Sequence, residues 1–194
     1  MSCEKPEIVI VSGLPRSGTS MMMRMLEAGG LPVLVDQQRE ADADNPNGYY
    51  EYEPVLRLKR DNSWVGEAVG KVVKIVYMLL YHLPADYHYK VVFMDRDLEE
   101  VIASQEVMLR RKGVAPPEGE SQPDMKVLFR KQLADFFRWI EQQPNFEVER
   151  VNYAEVLQDP PAIAERLSRF LERELDLQAM ARVCDPSLHR QRRA

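Results

Sequence analysis

The stretch that most constrains how this chain folds is residues 7–28. Ile8, Val9, Ile10 and Val11 form an unbroken apolar run, the pattern of a strand buried on both faces. A turn bounded by Gly13 and Gly18 follows. The period then changes: Met22, Met25, Leu26 and Gly29 fall on one face of a helix. Gly29 and Gly30, with Pro32 beyond, end that helix. A strand, a glycine turn and a helix start in this order make an anion site. The first helical N–H groups have no intrahelical acceptors, and the helix dipole adds about half a positive charge there. Ser17, Thr19 and Ser20 supply hydroxyls, and Arg16 supplies a permanent cation. A phosphate or a sulfate fits these donors.

The turn meets part of the phosphate-loop pattern G-x-x-x-x-G-K-[ST]. Gly13, Gly18 and Ser20 match, but Thr19 stands at the lysine position and the cation has moved inside the loop, to Arg16. A nucleotide kinase or NTPase needs that lysine at the terminal phosphates. The run Val91 to Asp95, readable as a Mg²⁺-binding strand end, is the best support for that alternative.

Further along, apolar runs and helical periods alternate. Strands are expected over 71–76, 90–95 and 148–153. Pro54 opens a short helix with Val55, Leu56 and Leu58 on its apolar face, and another short helix over 77–83 ends before Pro84. Asp97 with Glu100 forms a capping pair for a helix whose face is Leu98, Val101, Ile102, Gln105, Met108 and Leu109, with Gln105 the polar interruption. Gly113 ends it, and a Pro-rich loop over 114–124 follows. Phe129, Leu133, Phe136, Phe137 and Ile140 mark a long amphipathic helix whose stripe is core packing. Asp159 with Pro160 starts the next helix, and Asp176 starts a last short one. This alternation predicts an α/β chain with a mostly parallel sheet and helices on both faces. Ligands in such folds bind outside the carboxyl ends of the strands, where Arg16, Asp36 and Arg96 fall.

At 194 residues, 45% of them apolar, the chain is long enough for one domain with a real core. The net charge of −5 argues against nucleic acid or an anionic membrane as partner, so anion binding has to be local. The two cysteines, Cys3 and Cys184, read as free thiols. Met1 to Pro6 is too short and polar for a signal peptide, and no apolar run approaches spanning length, so a cytoplasmic location is expected.

The stretch Gly-Leu-Pro-Arg-Ser-Gly-Thr-Ser at 13–20 resembles the 5′-phosphosulfate loop of sulfotransferases, where Lys or Arg precedes Ser-Gly-Thr. A second stretch, from Arg96 to Ser104, resembles that family's 3′-phosphate motif: Arg at a strand end, Asp or Asn next, and Ser eight residues after the Arg. Leu98 stands where the family often has proline. A third, from Tyr153 to Pro160, resembles the family's Tyr-Glu-Asp-Leu-like stretch. The resemblance covers roughly residues 7–175.

It implies a single sulfotransferase-like domain over 1–194, a P-loop NTPase-like three-layer fold, and 3′-phosphoadenosine 5′-phosphosulfate as co-substrate. The implied reaction moves a sulfuryl group to a hydroxyl or amine of a small-molecule or peptide acceptor, without a metal. The same resemblance puts Arg16, Ser17, Gly18, Thr19 and Ser20 at the 5′ side, Arg96 and Ser104 at the 3′-phosphate, and Tyr153 near the adenine. Asp36 falls close to the glutamate that serves as base in protein-tyrosine sulfotransferases and is the first choice here. Glu53 and Glu51 come next. His82-Leu83-Pro84 matches the His-Leu-Pro of cytosolic sulfotransferases, at a shorter spacing to the third strand. The family's basic, glycine-containing C-terminal stretch has no Arg-Lys-Gly counterpart, only His189, Arg190, Arg192 and Arg193. A nucleotide kinase or a non-catalytic nucleotide-binding module remains the alternative at this point.

Overall fold

The computed structural model describes residues 5–36, 48–111, 113 and 122–184. Among these residues four strands form one parallel sheet: β1 (Glu7–Gly13), β2 (Val72–Lys74), β3 (His88–Asp95) and β4 (Phe146–Asn152), in the order β2-β1-β3-β4. Six α-helices accompany them among the described residues: α1 (Thr19–Ala28), α2 (Leu98–Arg111), α3 (Gln122–Ile140), α4 (Tyr153–Gln158), α5 (Pro160–Leu171) and α6 (Leu177–Arg182). The four strands are thus the expected ones, with ends shifted by a few residues.

Each face of the sheet carries its own core, as continuous apolar strands require. Ile8 and Ile10 of β1, with Val91 and Phe93 of β3, pack against Val101 of α2 and Phe136 and Ile140 of α3. Val9 and Val11, with Val92 and Met94, face Met22 and Leu26 of α1, Leu167 of α5 and Met180 of α6. Hence the chain forms three layers, helix–sheet–helix. The aromatic stripe of α3 is core, with Phe136 stacked on Phe93 and edge-on to Tyr77.

The local caps form as the residue types demand. Asp159 Oδ1 accepts from the Ala162 N–H and Asp176 Oδ1 from the Ala179 N–H. Asp97 Oδ1 accepts from the Glu99 and Glu100 N–H groups. The Glu100 carboxylate also takes the guanidinium of Arg96. The helix at Pro54 is 3₁₀, Glu53–Arg57. With three residues per turn, Val55 and Leu58 share a face and are 6% and 2% exposed, while the expected third member, Leu56, is 77% exposed. Tyr77–His82 is likewise 3₁₀ and ends on an extended Leu83 ahead of Pro84. Tyr153 begins α4 rather than ending a strand, because Asn152 caps a helix there by accepting from the Ala154 N–H.

The strand order places a switch in chain direction between β1 and β3: from β1 the chain leaves for β2 on one side and returns to β3 on the other. The crevice beyond their carboxyl ends is where such sheets bind ligands. Register completes the placement. Gly13 pairs with Met94, Val11 with Lys74 and Asp95 with Asn152. The turn after β1, Arg96, Lys74 and Tyr153 therefore leave the sheet at one edge.

Candidate active site

The turn after β1 is built under tight steric constraint. A Cβ on Gly13 would lie 2.5 Å from Ser17 Oγ and 2.8 Å from the Met94 carbonyl; one on Gly18 would lie 2.5 Å from Tyr153 Cδ2. Gly18 also has φ 100, outside the range other residues favour. It is the N-cap of α1, and having no side chain it makes no side-chain cap, so the first N–H groups of the helix follow directly on the turn. Ser17 is 1% exposed, and its hydroxyl has no hydrogen-bond partner. A buried hydroxyl of this kind at the start of a helix fits an anion as its missing partner.

The two motifs read separately from the sequence touch. Arg96 Nη1 donates to the carbonyl of Arg16 at 3.0 Å, and Arg16 Nε donates to Ser104 Oγ at 3.0 Å. Arg96 Nε meets Glu100 at 2.9 Å, in an ion pair whose side chains are only 9% and 13% exposed. The Arg96 guanidinium also lies 4.4 Å from the centroid of the Tyr153 ring, the same ring that backs Gly18. Burial pushes the Tyr153 hydroxyl above its usual pKa, against the opposing pull of Arg96 and Arg16.

Lys74, at the carboxyl end of β2, is a member of the site that the sequence reading missed. Its Nζ is 3.4 Å from Ser20 Oγ and also donates to the Tyr49 carbonyl, which accepts from Ser20 Oγ at 3.1 Å. The available signal was a lone lysine in an apolar run at the end of a buried strand. Glu51 Oε1 stands 3.9 Å from Lys74 Nζ. Among the other candidate bases, Asp36 uses Oδ2 to accept from the Glu53 N–H, so it anchors the start of the 3₁₀ helix. Glu53 pairs with Arg57 one turn on, facing solvent. His82 lines a groove with residues 58–62, apart from the Arg16–Lys74 group. The segments 37–47 and 114–121 and the basic tail from 185 lie outside the described residues.

A model of the sulfotransferase domain matches residues 6–191. The chain belongs to the sulfotransferase family. Sulfuryl transfer is therefore its class of reaction, and 3′-phosphoadenosine 5′-phosphosulfate is the general donor of the family. Solved sulfotransferases share the fold. The sulfotransferase domain of the Synechococcus PCC 7002 olefin synthase aligns with a TM-score of 0.54 at 15% identity, covering 98% of this chain and 82% of that one. Sulfotransferase STF1 of Mycobacterium tuberculosis H37Rv gives 0.57 at 17% identity, over 91% and 70% of the two chains. Mouse sulfotransferase SULT7A1, solved as a complex with PAP, gives 0.51 at 15% identity, over 93% and 63%. No curated protein sequence matches the chain.

Among the described residues, no group of three or more His, Cys, Asp or Glu side chains is arranged to hold a metal ion. No helix there is long and apolar enough to cross a membrane.

Proposed function

We propose that this sulfotransferase takes 3′-phosphoadenosine 5′-phosphosulfate as its donor and modifies a hydroxyl or amine on a small-molecule or peptide acceptor, in a single cytoplasmic domain. When bound, the donor supplies the sulfuryl group on its 5′ phosphate. The N–H groups of Thr19 and Ser20 at the start of α1, the Ser17 hydroxyl and Arg16 hold that end. Arg96 and Ser104 hold the 3′-phosphate by charge-assisted bonds. Lys74 neutralises charge that develops between donor and acceptor, and its place beside Ser20 supports that role. Glu51 accepts the acceptor's proton. It faces Lys74, whereas Asp36 and Glu53 are committed to the 3₁₀ helix.

The observation that carries this reading is the direct bond between the two phosphate motifs, from Arg96 to the Arg16 backbone and from Arg16 to Ser104. A bis-phosphorylated nucleotide needs both motifs at one crevice. Calorimetric titration tests the reading. Adenosine 3′,5′-bisphosphate binds at least about tenfold tighter than ATP with Mg²⁺, and Arg96→Ala abolishes that preference. Tight ATP binding with no preference for the bisphosphate refutes it.

A further inference from the structure

Gln105 interrupts the apolar face of α2, at a position where the pattern calls for an apolar side chain. Its Nε2 donates to the carbonyl of Pro15 at 3.0 Å. Pro15 is the second residue of a turn, Leu14 to Ser17, closed by a 3.1 Å bond from the Ser17 N–H to the Leu14 carbonyl. Arg16, the third residue, has φ 76. Proline second and a positive φ third are the marks of a type II turn. Type I and type II turns share their closing bond and differ in the orientation of the central peptide, here Pro15–Arg16. In a trans peptide the C=O and N–H point in opposite directions. A donor held on the Pro15 oxygen therefore settles the type of turn, and it settles that the Arg16 N–H points away from α2.

Arginine is a costly residue at that third position, where glycine is usual. Contacts from outside the turn must hold it. Two are present on successive carbonyls: Gln105 on Pro15 and Arg96 on Arg16. Ser104, the neighbour of Gln105, takes the Arg16 side chain as well. One end of the crevice thus shapes the backbone of the other.

We propose that Gln105 is a positioning residue for the nucleotide's 5′ end: it holds the Pro15–Arg16 peptide so that the Arg16 N–H, and not the Pro15 carbonyl, is presented to the phosphosulfate. This rests on the nucleotide site proposed above. With the peptide turned over, a carbonyl dipole would face an anion in place of a donor, exchanging attraction for repulsion.

The test uses two probes on the full chain, adenosine 3′,5′-bisphosphate and adenosine 3′-monophosphate. Gln105→Met keeps the length of the side chain and removes the donor. It raises the Kd of the bisphosphate by about five- to tenfold, as expected for one lost hydrogen bond plus the misplaced dipole. It leaves the Kd of the 3′-monophosphate within about twofold, since that ligand has no 5′ group. Gln105→Asn, which keeps the amide but withdraws it by one methylene, behaves like the Met variant. In turnover, the KM for donor rises in step while the KM for acceptor stays. Thermal melting checks that each variant is folded. The proposal is overturned if the Met variant binds bisphosphate as the parent does, or if both ligands weaken equally, as a general loosening of α2 would cause. A parent protein that prefers Mg-ATP to the bisphosphate overturns the nucleotide site itself, and this proposal with it.

Discussion

Gly18→Ala is the most informative single change at the site. Two separate costs meet there. The backbone stands at φ 100, and moving an alanine into positive φ costs about 1–2 kcal/mol. The new methyl would also sit 2.5 Å from Cδ2 and 2.9 Å from Cε2 of Tyr153. Tyr153 is 6% exposed, with Arg96 against its ring, so it has little room to retreat. Overpacking of this kind costs about 1–3 kcal/mol. The sum is about 2–5 kcal/mol.

Urea denaturation with linear extrapolation measures this sum, and a mutant cycle with Tyr153→Leu divides it. In the Tyr153→Leu background the ring is gone, so Gly18→Ala costs only the backbone part, about 1–2 kcal/mol. The coupling between the two positions is then about 1–3 kcal/mol. Equal costs in both backgrounds, or a cost under about 1 kcal/mol in the parent, would refute the packing of the tyrosine ring on the loop. In Gly18→Ala the displaced ring also shifts beneath Arg96, so bisphosphate affinity falls even where the protein stays folded.

Two further outcomes follow from side chains near this edge. The Tyr50 hydroxyl donates to Glu27, and burial together with that carboxylate raises its pKa to about 12. Below the unfolded value near 10 its contribution to stability is intact, and it is lost as pH rises through about 12; urea midpoints measured from pH 9 upward fall less steeply in Tyr50→Phe. Burial pushes the Cys184 thiol up to about 11 from 9.0. At pH 8 its thiolate fraction is about a hundredfold below that of an ordinary thiol, so in a Cys3→Ser variant maleimide labelling is slow until urea unfolds the chain; fast labelling of the native protein refutes the burial.

Much of the site is written locally. Whereas α3 begins at Gln122, inside the loop expected over 114–124, the strand–turn–helix over residues 7–28, the Asp159 and Asp176 caps and the C-terminal ends of α1 and α3 follow from residues within one turn of one another. Their hydrogen bonds close within three or four positions, so composition and order suffice. The 3₁₀ geometry at Glu53–Arg57 is different, since Asp36 anchors it from 17 residues away. Glu100 presents the pattern of a capping residue, and that pattern gives no sign of the charge-assisted bond its carboxylate accepts from Arg96.

The sequence by itself determined that a glycine-bounded turn lies between a buried strand and a helix, and that an arginine-bearing strand end follows later in the chain. It marked Lys74 and Gln105 only as polar interruptions of apolar patterns, and did not reveal that Lys74 stands beside Ser20, that Gln105 holds Pro15, or that the Tyr153 ring closes on Gly18. Those meetings depend on the pairing of Gly13 with Met94, Val11 with Lys74 and Asp95 with Asn152. In a parallel sheet that register is set by side chains packing in two layers above and below, across separations of some 60 to 80 residues in the chain. Only the folded sheet decides which strand ends stand level, and therefore which side chains share one crevice.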